Sequence, residues 1–201
     1  MTEDLALELV AGVPVEASLN TSATPYSFTP TSCATNGICS MNGNTVYNSS
    51  TGAYYYNWYA ATAETGTSSQ TNTDTPASIC PVGWRIPANY TIDANKSYGA
   101  LTNAYNFTVN GANNTQNHVA ELESIPLSFS RLGYYYNAVY YANVAANSYN
   151  TGGTRWSSTA SGDTNTAYSF IYGYTSLNYT YPQDNISRKG PNSVQIRCVA
   201  L

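Results

Sequence analysis

Few side chains in this sequence have the types and spacing that catalysis requires. His118 is the single histidine, so a Ser–His–Asp or Cys–His arrangement could use only that residue. It lies in a polar stretch, NNTQNHVAELE, where a solvated or structural histidine is the commoner role. Glu121 and Glu123 could act as general acid and base, but residues two apart on a helix point to different sides. We therefore expect that the protein is not an enzyme.

Motifs for phosphate, dinucleotide and zinc ligands are absent. The sequence lacks G-x-x-x-x-G-K-[ST], the dinucleotide pattern G-x-G-x-x-G, and any CxxC or HExxH spacing. Its acidic residues are too dispersed to supply the six to eight oxygen ligands that calcium takes. We expect no metal and no cofactor.

The four cysteines, Cys33, Cys39, Cys80 and Cys198, favour disulfide bonds. An even count in a chain of low charge is typical of disulfide pairing, and four cysteines allow three connectivities. We favour Cys33–Cys39, which closes a small loop, and Cys80–Cys198, which ties the middle of the chain to its last strand. The alternative is that the cysteines are reduced and buried in a cytosolic protein.

Composition narrows the classes of partner. Seven basic and eleven acidic residues give a net charge of −4, and charged residues make up only 9% of the chain. A surface that binds nucleic acid or an anionic membrane needs clustered Lys and Arg, so both partners are disfavoured. No apolar run approaches the ~20 residues of a membrane helix. The first twenty residues carry four acids and lack the positive n-region of a secretory signal.

The elements that would position these residues are mostly strands. Short runs of Tyr, Val, Ile and Phe are punctuated by Gly, Asn, Pro and Ser, and the segments 165–172 and 193–199 alternate most clearly with period two. A helix is predicted from Asp93 through Tyr105 and a second over residues 116–125. Residues 4–10 could form a helix, or residues 7–15 a first strand. The predicted strands cover residues 45–47, 54–59, 127–136, 138–144, 154–158, 167–172 and 193–199.

Three motifs taken in order resemble one known family. They are YNWYAATA (residues 56–63), ICPVGWRIP (79–87), and a C-terminal block made of RWSST (155–159), AYSF (167–170) and VQIRCV (194–199). The series is similar to the Fibrobacter succinogenes major paralogous domain and covers about residues 45–201. The chain departs from the family pattern at residues 88–92, which read ANYTI, and by two extra residues between Gly190 and Arg197.

The resemblance implies an α+β, C-type-lectin-like fold of the formylglycine-generating-type branch. Such a fold has mostly short antiparallel strands and long loops, with one or two helices. It would divide the chain into an N-terminal extension or first strand (1–30) and a ligand-binding domain (31–201) whose variable region spans about 155–201. Its scaffold would be the core around Trp58, Trp84 and Trp156. The enzymes of this branch need a metal-binding or redox cysteine pair, whereas the C-terminal region here offers only Cys198.

Proteins of this fold include the variable proteins of diversity-generating retroelements, in which adenine-directed mutagenesis turns Asn codons into NNY codons. Every residue in 157–182 belongs to the set that NNY codons encode, and so does every residue in 132–155. The resemblance thus implies a receptor- or adhesin-like protein that displays a hypervariable C-terminal surface to a protein or cell-surface ligand. It would act outside the cell, at the cell surface or on a virion. The alternative is a non-variable secreted module that binds polysaccharide or protein.

The predicted binding surface is rich in Tyr, Ser, Thr, Asn and Gly, a composition typical of antibody paratopes. Tyr168 and Tyr172 alternate with Phe170 and are predicted to face the core. Residues 173–181 and 184–187 are predicted to be exposed loops, because Gly, Pro and Asn interrupt any strand there. The predicted ligand-binding residues, hereafter the reader residues, are Ser161, Asp163, Asn165, Ser169, Ile171, Gly173, Tyr174, Thr175, Ser176, Asn178, Tyr179, Tyr181, Asp184, Asn185, Ile186 and Ser187.

Overall fold

The computed structural model describes residues 3–30, 45–67, 69–89, 98–104, 122–124, 126–130, 132–136, 139–141, 153–164, 166–172, 181–187 and 193–201. The helices in these ranges are α1 (Trp58–Ala61) and α2 (Tyr98–Ala104). The strands are β1 (Val15–Leu19), β2 (Ser22–Phe28), β3 (Thr45–Asn48), β4 (Ala53–Tyr56), β5 (Ala77–Ser78), β6 (Trp84–Arg85), β7 (Tyr134–Tyr136), β8 (Val139–Tyr141), β9 (Gly153–Ala160), β10 (Thr166–Tyr172), β11 (Tyr181–Ser187) and β12 (Val199–Ala200).

Short antiparallel strands dominate this part of the chain. They form two three-stranded sheets, ordered β2–β1–β5 and β11–β10–β9, and the pairs β12–β6, β3–β4 and β7–β8. All of these pairings are antiparallel. The C-type-lectin-like fold stays a prediction.

The N-terminal residues form part of the main core. β1 pairs with β2 on one side and with β5 on the other, where Ser18 lies opposite Ser78. Leu5 and Leu9 are buried in the same cluster as Trp58 and Trp156. The segment 1–30, predicted as an extension or first strand, therefore contributes a hairpin and four buried core side chains, those of Leu5, Leu9, Ala17 and Phe28.

The helix predicted for residues 4–10, and the alternative strand over 7–15, are both wrong. Residues 4–10 form neither helix nor strand. The hydroxyl of Tyr56 accepts from the N–H of Leu7 (2.7 Å) and lies within hydrogen-bond distance of the carbonyls of Leu7 (2.8 Å) and Leu5 (3.2 Å). A distant side chain thus satisfies main-chain groups that a helix or sheet would otherwise pair.

The strand predicted over residues 54–59 ends early, at Tyr56. Asn57 then caps α1, because its side-chain oxygen accepts from the N–H of Ala60 (2.8 Å). Asn is a favoured N-cap because its short side chain reaches the free N–H groups of the first turn. The aromatic run had suggested a strand, whereas the cap and the buried side chains of Trp58 and Tyr59 stabilise a helical turn.

Of the predictions on the helical and central segments, only the strand over 127–136 needs correction. The helix predicted from Asp93 through Tyr105 appears as α2, and both of those end residues lie outside the described part. In the second predicted helix, Leu122 and Glu123 are helical, and residues 116–121 and 125 are outside the described part. Of the strand predicted over 127–136, only β7 forms. Residues 128–130 are not a strand, and the N–H of Phe129 instead donates to the carbonyl of Leu122 (2.8 Å).

The C-terminal segment 193–195 joins three separate hairpins. Val194 bridges Tyr56 of β4, Ser193 bridges Tyr135 of β7, and Gln195 bridges Arg155 of β9. The continuous strand predicted over 193–199 is therefore a series of single bridges, followed by β12. Both sides of the segment are buried from Ser193 to Cys198, so its polar side faces the interior rather than water.

Candidate functional site

Strand β9 is fixed on both of its edges. All eight of its residues are buried. One edge pairs with β10. On the other edge the N–H of Ala160 donates to Thr73 (2.9 Å), and the N–H of Trp156 donates to Gln195 (3.2 Å). β9 is therefore a scaffold strand.

The hydroxyl groups of the WSST motif have structural partners. Ser157 donates to the carbonyl of Tyr168 (2.9 Å). The Asp74 carboxylate accepts from the hydroxyls of Ser158 (3.1 Å) and Thr159, and the Thr159 hydroxyl also accepts from the N–H of Asn89 (2.8 Å). Buried and bonded in this way, these hydroxyls stabilise the packing of β9 against the segments 73–75 and 87–89.

The tryptophans take the scaffold positions that the sequence suggested. Trp58 and Trp156 are fully buried, and Trp84 is partly buried against the same cluster. The indole N–H of Trp156 donates to the Tyr56 carbonyl (2.7 Å), and that of Trp58 donates to the Ser157 carbonyl (3.1 Å). A buried indole N–H needs such an acceptor, so the two rings are fixed in orientation as well as in position.

The disulfide bond between Cys80 and Cys198 is present. It is the long-range pairing that the sequence favoured, and both residues lie in the main core cluster. Cys33 and Cys39 lie outside the described residues. The bond holds the C-terminal segment against the middle of the chain, beside the β12–β6 pairing.

Residues 181–187 form a strand, which corrects the loop predicted for 184–187 and for Tyr181. The exposure predicted for these side chains stays a prediction. β11 pairs with β10 so that Tyr181 lies opposite Ile171, and Asp184 lies opposite Ser169. Within the described part of the chain, β10 is the only neighbour of β11. Pro182 is tolerated because an edge strand has one side on which no N–H is needed.

The reader residues of β11 lie opposite residues of β10, and other reader residues lie outside the described part. The pairing brings Tyr168 and Asn185 opposite each other, as it does Ala167 and Ile186, and Thr166 and Ser187. Eight residues, 173–180, join β10 to β11 in the sequence. The reader residues outside the described part are Asn165, Gly173, Tyr174, Thr175, Ser176, Asn178 and Tyr179.

Two reader residues are wrongly assigned. Ser161 is fully buried, and its hydroxyl is hydrogen bonded to that of Thr166. Ser169 is 1% exposed. Neither side chain offers a ligand a surface to contact, because both are buried. Asp163, in contrast, is exposed.

Tyr168 is half-buried, although the alternation with buried Phe170 predicted that it faces the core. A register shift lies between Ala167 and Ser169 where β10 pairs with β9. Such an irregularity interrupts strict alternation. The Tyr168 ring therefore contributes to the surface beside β11.

A buried ion cluster lies beside the C-terminal sheet. The Asp4 carboxylate accepts from Arg155 Nε (2.8 Å) and Nη2 (2.6 Å) and from Arg197 Nε (3.1 Å). The Ser130 hydroxyl donates to the same carboxylate (3.1 Å). Both guanidinium groups also lie over the Phe129 ring, at 4.8 and 4.2 Å from its centroid. The cluster joins the N-terminus to β9 and the C-terminal segment.

Opposing effects set the pKa of Asp4. Burial by itself would raise it, but the neighbouring guanidinium of Arg155, and then that of Arg197, outweigh burial and lower the pKa below its ordinary 3.8. Asp4 is therefore ionised at neutral pH. Burial raises the pKa of Tyr56, whose hydroxyl stays protonated.

Sequence reasoning missed this cluster. Arg155 in a predicted buried strand requires a counter-ion, and four of the eleven acids lie in the first sixteen residues. This excess of acidic residues near the N-terminus was the signal from which a counter-ion for Arg155 could be inferred. It indicates an N-terminal partner, but it does not distinguish Asp4 from Glu3 or Glu8.

The described part of the chain holds only some of the residues considered for catalysis or metal binding. His118 and Glu121 lie outside the described residues, and Glu123 is half-buried. Among the described side chains, no group of three or more His, Cys, Asp and Glu could hold a metal ion. In the same part of the chain no helix has the length and apolarity needed to cross a membrane.

Comparisons of the chain with protein-family models, with curated proteins and with solved structures found no match.

Proposed function

We propose that the protein is a ligand-binding variable protein, which displays a diversified C-terminal surface on a C-type-lectin-like scaffold. Its reader would be β11 at the edge of the C-terminal sheet, together with residues 173–180 of the sequence and the exposed Asp163. The ligand would be a protein or a cell-surface molecule, and the site would need no cofactor.

One observation carries this proposal: the C-terminal block is divided into a fixed strand and an edge strand. β9 is buried along its length and bonded on both edges. β11 is held within the described structure by β10 alone. Substitutions on an edge strand disturb fewer neighbours than substitutions on a buried one, so β11 can vary while β9 maintains the fold.

The first experiment tests whether the scaffold tolerates change in the reader. Six reader residues are replaced together by Ala or Ser, and thermal unfolding is followed by circular dichroism. We expect the midpoint to stay within a few degrees, whereas Trp156→Ala should cost about 3–5 kcal/mol through the cavity that it leaves. Unfolding of the six-fold variant would place these side chains in the core. The six residues are Tyr174, Ser176, Asn178, Tyr179, Tyr181 and Asp184.

The second experiment tests binding. The six codons are randomised as NNY, and the displayed library is selected on hen lysozyme as an arbitrary protein target. A matched library randomises exposed positions of another edge strand, β2, among them Ala23, Thr24 and Ser27. The reader library should yield folded binders, and the β2 library should not. Equal yields, or none from the reader, would contradict the proposal.

The genomic locus separates the variable protein from a non-variable surface module. A diversified gene lies near a reverse transcriptase and a near-copy of its 3′ segment that differs at adenines. A locus without both would favour the fixed polysaccharide- or protein-binding module.

A further inference from the structure

The N-terminal arm, residues 3–9, is bound to distant parts of the fold although it forms neither helix nor strand. The N–H of Leu5 donates to the Ile196 carbonyl (2.9 Å), and the N–H of Leu7 donates to the Tyr56 hydroxyl (2.7 Å). These bonds replace the pairing that a regular element would provide. The arm is therefore held by β4 and the C-terminal segment, which lie far from it in the sequence.

The side chains of the arm add apolar contacts and a charge. Leu5 and Leu9 are buried in the main core cluster. The Asp4 carboxylate pairs with the guanidinium groups of Arg155 and Arg197. Apolar burial combined with paired charges makes a contact specific. The surface that receives the arm is thus complementary to this particular sequence.

An exposed turn joins the arm to β1. All of the residues 10–14 are exposed. The N–H of Val13 donates to the Val10 carbonyl (3.1 Å), and Gly12 adopts a φ of +80°, the value that the third residue of a type II turn requires. Val13 precedes Pro14, and a residue in that position favours an extended backbone. Closure of the turn therefore depends on the conformational freedom of one glycine.

Opening of this turn would allow the arm to leave its own fold. Residues 10–14 would then form an extended linker of about 17 Å. A second copy in the same state offers a vacant surface of the same shape and charge. Exchange of arms between two copies restores each contact that the arm makes within one chain, so the exchanged and closed states differ only in the linker and in the entropy of association.

We propose that the N-terminal arm is exchanged between two copies of this chain, which gives a dimer in which each arm lies on the body of the other copy. The surface that receives residues 3–9 is thus an interface for a second copy, and Gly12 determines whether the arm folds back or crosses over. Arg155 of each copy keeps an Asp4 counter-ion, so the dimer carries two complete C-terminal sheets. Exchange of the arm does not depend on what these sheets bind.

Gly12→Val tests the role of the turn. A Cβ at Gly12 would have no atom within 4 Å, so the substitution acts through the positive φ alone. This region disfavours an L-residue by roughly tenfold, and each dimer opens two turns. We therefore expect the dissociation constant of the dimer, measured by analytical ultracentrifugation of the refolded full chain, to fall by about a hundredfold. An unchanged dissociation constant would overturn the proposal.

Gly83→Val is the matched control. Its turn is closed by the same type of bond, from the N–H of Trp84 to the Pro81 carbonyl (2.9 Å), and Gly83 has a φ of +85° with no atom within 4 Å of its Cβ position. This turn follows the disulfide-bonded Cys80, so it joins no segment that can leave the fold. The control should be less stable than the wild type but should not dimerise more tightly. Equal effects of the two variants would show that strain alone promotes association, and the role of Gly12 would be wrong.

An isotope-edited NMR measurement shows whether the arm crosses between chains. ¹⁵N-labelled and unlabelled copies of Gly12→Val are mixed and refolded together with the disulfide bond intact. In the exchanged dimer the Leu5 amide of one copy lies beside the Ile196 backbone of the other, so nuclear Overhauser effects should connect labelled to unlabelled chains. A dimer that lacks these effects between chains would rule out exchange of the arm.

The wild type keeps the test decisive if Gly12→Val does not fold. A short flexible linker corresponds to an effective concentration in the millimolar range, so wild-type protein refolded at such a concentration should contain a detectable fraction of dimer. The same labelled mixture should show the contact between Leu5 and Ile196 across chains. A wild type that stays monomeric under these conditions would contradict the proposal.

Discussion

Asp4 Oδ2 and Arg155 Nη2 lie 2.6 Å apart and are separated by 151 residues of sequence. The Arg155 side chain is 0% exposed and that of Asp4 12% exposed. The contact makes the N-terminal segment a structural partner of the C-terminal sheet, because removing Asp4 leaves two guanidinium groups without their carboxylate.

Replacement of Asp4 should destabilise the protein. Asp4→Asn removes the carboxylate that pairs with the buried guanidinium groups of Arg155 and Arg197, and breaking a buried pair in this way costs about 3–5 kcal/mol. Urea unfolding measures the loss. Glu16→Gln removes an exposed charge and should change the free energy of unfolding by less than about 0.5 kcal/mol. A loss of similar size in both variants would show that the cluster contributes little.

The same carboxylate should make stability depend on acid pH. Its folded pKa is lowered from 3.8, so its contribution is present above that ordinary value and is lost as the pH falls through the folded pKa. The free energy of unfolding should therefore fall more steeply below pH ~4 in the wild type than in Asp4→Asn. Urea titrations at a series of pH values give the free energy of unfolding of both proteins. If the two plots of this free energy against pH are parallel, the prediction is wrong.

Tyr56→Phe should loosen residues 4–10. It removes the acceptor of the Leu7 N–H and a partner of two main-chain carbonyls, and buried groups left unsatisfied cost about 1–3 kcal/mol. Hydrogen exchange should accelerate at Leu7 before global unfolding. The matched change Tyr47→Phe affects a side chain that is 54% exposed and should leave exchange unaltered. If the Leu7 amide exchanges no faster in Tyr56→Phe, water has replaced the hydroxyl as its hydrogen-bond partner and the prediction is wrong.

Gly66→Ala should be much more disruptive than Gly162→Ala. A Cβ at Gly66 would lie 2.2 Å from Trp58 Cζ3, and the Trp58 ring is fixed by its bond to Ser157. Overpacking of this kind costs typically about 1–3 kcal/mol. At Gly162 the nearest atom would be 3.5 Å away, in the Asn72 side chain. Thermal unfolding of the two variants gives the comparison, and equal midpoints would show that Trp58 can shift.

Loss of the Cys80–Cys198 bond should lower stability substantially. The cysteines are 118 residues apart, and closing a loop of that length restricts the unfolded chain by about 4–5 kcal/mol in the chain-entropy model. Cys80→Ala with Cys198→Ala should lower the melting midpoint in the absence of reductant. Mass spectrometry of unreduced wild-type protein should show the linked peptides, and free thiols at both positions would contradict the pairing.

Local patterns determined the hairpins and the core anchors. The β3–β4 hairpin follows from its aromatic runs and from the turn between them, where the Asn48 side chain accepts from the N–H of Ser50 (3.0 Å) and Gly52 adopts a φ of +68°. The burial of Trp58 and Trp156 follows from their size and from the short apolar runs around them. The strands near residues 45–47 and 54–56 and the burial of the two tryptophans depend on residues close in sequence and were predicted from it, whereas the pairing of β3 with β4 was not.

Only the tertiary structure decided where the polar groups of the C-terminal block point. Alternating apolar and polar residues are typical of a strand with one solvated side. The segment 193–198 has the same alternation, but both of its sides are buried. Gln195 and Arg197 face the interior because Asp4, the carbonyls near Ser128 and the bridge to Arg155 lie there. Ser169 is buried by β9 in the same way. Partners on other elements of the chain, from Ser128, 69 residues before Arg197, to Asp4, 193 residues before it, fix the positions of these polar groups, and side-chain periodicity reports only on neighbours along the chain.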